Sequence, residues 1–399
     1  MSEIKVNSIK GVGATTAAIT VNNTDGTCTA NLTNRTNKNL IINGAMQIAQ
    51  RGTSSTSTGY KTVDRFGISA GGQDNAMTQA QADVTSGGAY NSGFRKCLKI
   101  TNANQTGGAG AADYYRIYQF IEAQNAAQSG WNYVSSSSNI SLSFWVKSSV
   151  AQNFYGYLRT QDSTQQNYPF ETGSLTADTW TKITKTIPGN SNITIDNDIN
   201  HGLALFIDLY NGTDYTGSVT LNQWGVYNSS IRVPDYGTAN DDWYLTNGAT
   251  FEITGVQIEV GSNATDFEHL SFADDLLKCQ RYFYKTGDIG TSEEWFPGVQ
   301  THADHGNFTV PSFNSSTNRA APSLRFPVLM RVSGTATYYP GRNDVTNTVD
   351  RVNEYTNNTN ESYGYAPAPS CGGLEYYFQD ITGGGADAYV FQCTVDAEL

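Results

Sequence analysis

Short runs that alternate apolar and polar residues recur about every ten to fifteen residues through most of this 399-residue chain, with no helix-period stretch between them. Segments 64–68, 97–100, 114–121, 140–146, 155–158, 181–187, 203–209 and 243–260 all read this way. Evenly spaced strands with no helices between them predict an all-β sandwich. Segments 141–146 and 203–209 are the most apolar and are expected inside the two sheets. Only 15% of residues are charged, while 39 are Gly and 24 are Tyr, a mix that disfavours long helices and suits strands joined by turns.

The one expected helix of consequence follows the longest strand. Val256, Ile258 and Val260 alternate with Gln257 and Glu259, and Gly261-Ser-Asn263 then makes a turn. Ser271, with Asp274 three residues on and Asp275 beside it, supplies an N-terminal cap. Phe272, Leu276, Cys279 and Phe283 are spaced to share one face, and the expectation is that Phe272, Leu276 and Cys279 are buried together. Residues 281–285 return to alternation. Strand, turn, helix and strand thus read as a junction, residues 271–285, between two β-rich bodies.

On either side the character differs. Residues 1–38 carry two short alternating stretches and too little apolar surface to fold alone, which marks an N-terminal attachment arm expected to order on assembly. Residues 39–270 hold the dense strand pattern, with 40–42 and 46–50 also read as strand and 51–59 as a loop. Residues 286–399 contain Pro297, Pro311, Pro322, Pro327, Pro340, Pro367 and Pro369 between strand-like stretches 307–310, 323–330, 335–339, 374–378 and 388–395. They read as a second, smaller β domain with long Asn/Thr/Gly loops.

Lys and Arg number 24 against 36 Asp and Glu, without a basic cluster, so neither nucleic acid nor an anionic membrane is an expected partner. No apolar run approaches the roughly 20 residues that span a bilayer, and Met1-Ser-Glu-Ile opens without a basic and apolar leader. Synthesis in a cytoplasm is expected. The cysteines, Cys28, Cys97, Cys279, Cys371 and Cys393, are odd in number and widely separated, which suits small buried side chains rather than disulfides or zinc. Asn-x-Ser/Thr triplets such as Asn31-Leu-Thr33 follow from Asn/Thr richness.

Several stretches together resemble virion appendage proteins of tailed bacteriophages, tail-fibre or tail-tip proteins of marine podovirus-like phages in particular. They are Asn39-Leu-Ile-Ile-Asn-Gly-Ala-Met-Gln-Ile-Ala-Gln-Arg-Gly52, Val63-Asp-Arg-Phe66, Leu142-Ser-Phe-Trp-Val-Lys-Ser148, residues 251–271, Cys279-Gln-Arg-Tyr-Phe-Tyr284, Arg325-Phe-Pro-Val-Leu-Met-Arg331 and Ala397-Glu-Leu399. The resemblance implies a middle domain built as a carbohydrate-binding-module-like jelly roll, an arm that attaches to other virion proteins, and a homotrimer located on the particle. The chain departs from a long fibre in having no heptad or Gly-x-y shaft repeat.

Sugar recognition needs flat aromatic faces and hydroxyl partners. Trp131, Tyr133, Tyr155, Tyr157, Tyr168, Tyr236 and Trp243 are candidates in the middle domain. In the last domain the candidate glycan- or receptor-binding residues are Trp295, Tyr338, Tyr339, Tyr355, Tyr363 and Tyr365, with Tyr355, Tyr363 and Tyr365 favoured by their Asn, Gly and Pro surroundings. The competing explanation for any of these rings is sheet packing or a subunit interface. Glu293, Glu294, Asp304 and Asp380 would suit a glycosidase only if two carboxyls came within about 5–9 Å, so solvated loop acids are the simpler reading. His302-Ala-Asp-His305 could hold a metal across a threefold axis, and the resemblance allows a structural calcium near 196–198 or at Asp241 and Asp242; no ligand set is legible. No phosphate loop, dinucleotide fingerprint or hydrolase elbow is present. The expected function is a non-enzymatic virion protein without cofactor that attaches to a host surface glycan. The rivals are an architectural adaptor or capsid decoration and a polysaccharide depolymerase.

Overall fold

The computed structural model describes residues 7–9, 12, 19–21, 28–30, 37–237, 240–286, 308–311, 323–340, 348–352, 359–362, 369–375 and 388–398. Its main body is built from β1 (Ser54–Ser55), β2 (Gly67–Gly71), β3 (Thr78–Asp83), β4 (Lys96–Thr101), β5 (Tyr114–Glu122), β6 (Asn139–Ser148), β7 (Asn153–Thr160), β8 (Gln166–Ser174), β9 (Thr181–Pro188), β10 (His201–Asn211), β11 (Gly225–Val226) and β12 (Thr250–Val260). These make two six-stranded sheets, ordered β11-β8-β7-β10-β5-β2 and β9-β6-β12-β4-β3-β1. All pairings within the two sheets are antiparallel. The body is an all-β jelly-roll sandwich: strand spacing predicts the sandwich, and the jelly roll is what the resemblance implies.

Alternation decides what fills it. Leu203, Leu205, Ile207 and Leu209 of β10, with Ile117 and Ile121 of β5, pack in one core with Leu142, Phe144 and Val146 of β6 and with Phe251, Ile253 and Ile258 of β12. Strands β3 and β8 escape a reading by alternation. Gln166-Asn-Tyr-Pro-Phe-Glu-Thr-Gly-Ser174 is interrupted by Pro169 and Gly173, and Pro169 is tolerated because β11 reaches only Gln166 and Asn167, leaving β8 an edge there. Neither 40–42 nor 46–50 is a strand: the chain turns through 42–45, as the Asn43-Gly44 pair indicates, with Asn43 and Met46 at positive φ, and residues 242–245 form a short helix rather than the start of β12.

That turn is folded onto an irregularity in β12. Register against β6 shifts between Thr254 and Gln257, at Gly255, whose φ is +64°. Asn39 is wedged into the bulge: its Oδ1 accepts from Ile41 N and Ile258 N, both at 3.0 Å, and its Nδ2 donates to Val256 O at 3.1 Å. Gly44 O accepts from Val256 N at 3.0 Å, an approach so close that no Cβ fits at residue 44. Two stretches that carry the resemblance, 39–52 and 251–284, therefore pack against each other.

The helix α1 (Phe272–Gln280) is capped as its sequence indicates, with Asp274 N donating to Ser271 Oγ at 3.2 Å. Its orientation corrects the expectation. Phe272 is 59% exposed and Leu276 half-buried, while Asp275 and Cys279 face the body. Asp275 Oδ1 accepts from Asn43 N at 3.1 Å, a bond that turns the polar 275/279 face inward and leaves Phe272 and Leu277 outside.

Beyond α1, Phe283–Lys285 pairs with Ala388–Asp396, a strand that also pairs Phe308–Pro311, Thr335–Pro340 and Thr348–Val352. Ser323–Arg325, Gly373–Glu375 and Pro369–Ser370 form a small second sheet. In the arm, Ser8–Ile9, Ile19–Val21 and Cys28–Ala30 make an antiparallel three-stranded sheet. The C-terminal part is tied to the sandwich through charge. Arg65, 1% exposed, pairs with Glu398, donates to Phe120 O at 2.7 Å and lies 3.4 Å over the Tyr282 ring. Glu122, fully buried on β5, accepts from Arg281 Nε at 2.7 Å and Nη2 at 2.8 Å and from Tyr282 Oη at 2.6 Å.

Candidate functional site

The two faces of the sheet containing β10 carry different chemistry. Every second residue of β5, β7 and β10 points away from the core, and the register aligns these residues in rows across the strands. One row runs Tyr118, Phe206, Tyr157, Pro169; on one side of it lies Arg116, Asp208, Tyr155, Glu171, and on the other Phe120, Ala204, Arg159, Asn167. The aromatic row is thus flanked by mixed rows that carry charged and amide groups on an outward sheet face.

Part of this face is roofed. Val233 packs on Tyr157, Ala204 and Phe206 in a cluster separate from the main core. Arg232, on the same segment, has its backbone carbonyl bonded by Asn167 Nδ2 at 2.9 Å, and its guanidinium lies 3.9 Å over Tyr215. Tyr155 and Tyr236 stack at 5.2 Å and 9°, and Tyr236 Oη donates to Asn211 O at 2.7 Å, holding the roof down. Tyr157 is fully buried and accepts from Arg116 Nη1 at 2.8 Å.

The rest of the face is open. Tyr118, Phe120, Arg159, His201 and Tyr227 are all half-buried there. Phe120 and His201 stack at 4.2 Å and 12°, Tyr118 meets Phe120 at 5.0 Å, and the Arg159 guanidinium lies 4.4 Å from the Tyr227 ring and 5.0 Å from Phe206. Such an arrangement offers flat rings for sugar C–H faces next to hydrogen-bond donors.

The electrostatics are unusual for an acidic chain. Burial, with Arg331, Arg65 and Arg159 nearby, pushes the His201 imidazole down to about 4. A histidine depressed in the folded state is protonated more readily when unfolded, so between about pH 6.5 and 4 stability falls as pH falls. His201 is expected to remain neutral at pH 5, where an ordinary histidine is charged. A ¹H NMR titration in which its ring signals moved with a midpoint near 6.5 would contradict this.

Most sequence candidates fall elsewhere. Trp131, Tyr168 and Trp243 are buried in the main core, and Tyr133 packs against it. Tyr155, Tyr157 and Tyr236 do lie on the outward face, as structural supports. Tyr338 and Tyr339 are consecutive residues of Thr335–Pro340, in register with Cys393 and Gln392. Trp295, Tyr355, Tyr363 and Tyr365 lie outside the described residues, as do Glu293, Glu294, Asp304, Asp380, His302 and His305. Among the described residues no group of three or more His, Cys, Asp or Glu is placed to hold a metal, and no helix is long and apolar enough to cross a membrane. Asp198 is engaged by Asn200 N at 2.9 Å, and Asp162 accepts from Asp196 N at 2.9 Å.

No family model matches the chain, and no curated protein does either. Among solved structures, the enzymatically active domain of tailspike protein 4 from bacteriophage CBA120 aligns at 10% identity and TM-score 0.29, over 56% of this chain and 21% of that one. A family 4 carbohydrate-binding module aligns at 11% and 0.28, over 55% and 98%. The N-terminal cellulose-binding domain of Cellulomonas fimi β-1,4-glucanase C aligns at 9% and 0.25, over 54% and 99%.

Phe120, Arg159, His201 and Tyr227 were not legible as a site. Phe120 and Arg159 read as ordinary strand residues, and they are brought together only because each pairs with Ala204 of β10, 84 and 45 positions away. A second concavity, about 210 Å³, lies on the outer face of the other sheet between Gly87, Gly88 and Trp180. There Lys147 Nζ lies 5.2 Å from the Trp180 ring and is paired with Glu252 at 2.8 Å.

Proposed function

We propose that the chain is a non-enzymatic virion protein of a tailed phage, part of the tail apparatus or a surface appendage, and that it attaches to host-surface glycans through the open part of the outward sheet face. The observation that carries the binding role is the group of half-buried rings, Tyr118, Phe120, His201 and Tyr227, set around Arg159 on a packed sheet. A packed sheet positions such rings without the ordering cost that loops incur on binding. The resemblance of 39–52 and 251–284 to phage appendage proteins supports the virion setting, with the arm at residues 1–38 joining other tail proteins.

Tyr227→Ala is expected to weaken binding to the host glycan at least about tenfold, the scale of one lost aromatic contact, with an unchanged melting temperature because the ring is only half-buried. Binding of the variant equal to wild type on an array of host polysaccharides would remove this face from the function.

The architectural rival makes the same rings a subunit contact. The assembly we propose is a homotrimer, in which weak sites gain by effective concentration. Light scattering at micromolar concentration should return three times 43.3 kDa; a monomer mass would contradict it.

A further inference from the structure

We infer that the chain has a second sugar site, separate from the open rings: a cleft on the outer face of the other sheet that takes one neutral pyranose ring. The cleft, about 210 Å³, is lined by Asp83, Ser86, Gly87, Lys147, Asp178 and Trp180 among others. Thr181 of β9 pairs with Val146 of β6, which sets Trp180 beside Lys147 at the end of that ladder. The indole is half-buried: it packs against the small outer cluster of Val84, Ala89, Phe94 and Cys97 and still lines the cleft. The wall beside it is equally fixed. Gly87 has φ +84°, and a Cβ there would come within 3.0 Å of Trp180 Cδ1; a Cβ on Gly88 would come within 2.5 Å of the Trp145 ring. Only glycines let this wall lie against both indoles. On the other side Asp178 N donates to Ser148 O at 2.7 Å, tying that loop to β6. A cleft already formed in this way spares a ligand the cost of ordering a loop.

Size and chemistry choose the ligand. Pockets that take drug-sized molecules run to about 300–1,000 Å³, so this smaller one suits a single ring, a chain end or a branch. The indole offers a flat apolar surface to the C–H face of a pyranose, and the rim adds the hydroxyls of Thr85, Ser86 and Thr179. Asp178 is exposed, and among the described residues no group donates to its carboxylate, so both oxygens can accept from sugar hydroxyls. Asp83 Oδ1 is 2.6 Å from Lys96 Nζ in an exposed pair, which leaves Oδ2 to accept. Lys147 supplies a donor: one of its three N–H groups goes to Glu252 at 2.8 Å, and its Nζ is 5.2 Å from the Trp180 ring. Three carboxylates, Asp83, Asp178 and Glu252, against the two ammonium groups of Lys96 and Lys147 disfavour an anion such as a phosphate or a uronate. A neutral sugar, whose hydroxyls both donate and accept, matches this mixture.

The test is an NMR titration of the ¹⁵N-labelled full chain with the methyl glycosides of glucose, galactose, mannose and N-acetylglucosamine, and with methyl glucuronoside. The chain has six tryptophans, and the indole N–H signal of Trp180 is the one lost in Trp180→Phe. At least one neutral glycoside should move that signal to saturation with a Kd in the millimolar range, the scale for a ligand of about a dozen atoms. Asp178→Asn should weaken this binding about tenfold, the scale of one hydrogen bond to a charged group. Asp178 has φ +55°, a conformation Asn adopts readily, so the variant should keep the wild-type melting temperature. Tyr227→Ala, at the open face, should bind the glycoside as wild type does. A Trp180 signal unmoved by every neutral glycoside, or equal affinity in Asp178→Asn, would overturn the inference, and so would tighter binding of the glucuronoside. The open face has its own readout, loss of host-glycan binding in Tyr227→Ala, so either site can fail while the other stands.

Discussion

Replacing Glu398 by Ala is expected to destabilise the protein by about 3–5 kcal/mol, the scale for stranding one partner of a buried ion pair. Arg65, 1% exposed, would lose its carboxylate while keeping only Phe120 O and the Tyr282 ring, neither of which neutralises it. Arg51, whose Nη2 is 3.2 Å from Glu398 Oε1, would lose a partner too. The double variant Arg65→Met with Glu398→Leu should recover most of the loss, because an apolar pair of similar shape strands nothing. Urea unfolding checks both. A Glu398→Ala protein with the wild-type midpoint would mean that the C-terminal part is not clamped to the sandwich in this way.

Glu122→Ala should be of similar size. It removes the carboxylate that takes two N–H groups of Arg281 and the Tyr282 hydroxyl, at a position with no access to water. Burial opposes ionisation of Glu122, but the bonds from Arg281 and Tyr282 outweigh it and hold the carboxyl below its usual range. A group depressed in this way stabilises the fold above about pH 4.5, its unfolded value, and the contribution is lost as pH falls through the lower folded value. The variant should therefore be less stable at pH 7 and show a shallower loss of stability below pH 4.5 than wild type. Tyr282 links the two sites, since it lies under Arg65 and bonds Glu122, so the combined variant should cost less than the sum. Strict additivity would argue against a shared network.

What the sequence revealed and what it hid follow from the range of the interactions. Alternation is local, so β4, β5, β6, β9 and β10 could be read residue by residue, and the Ser271 cap needs only Asp274 three residues away. The inward face of α1 could not be read, because it is chosen by Asn43, 232 positions from Asp275, and a carboxylate proved a better inward group than Phe272. The site failed for a related reason. Composition finds aromatic residues but not the face they occupy: Trp131, Tyr168 and Trp243 went to the core, Tyr157 under a roof, and Phe120 became a site residue by lying one register row from Phe206. Arginines were the missed signal. Arg116, Arg159 and Arg232 converge on one face of an acidic chain.

The central claim, that glycan binds where Phe120, His201, Arg159 and Tyr227 meet, is tested most directly by His201 itself. The chain has four histidines, so their ring protons give a simple ¹H NMR spectrum, and the His201 signal is identified by its loss in His201→Gln. On titration with oligosaccharides cut from the host surface polysaccharide, the His201 signal should shift to saturation at the calorimetric affinity, and Tyr227→Ala should shift only at concentrations about tenfold higher. Saturable binding that left the His201 signal unmoved would place the glycan elsewhere on the protein and contradict the account.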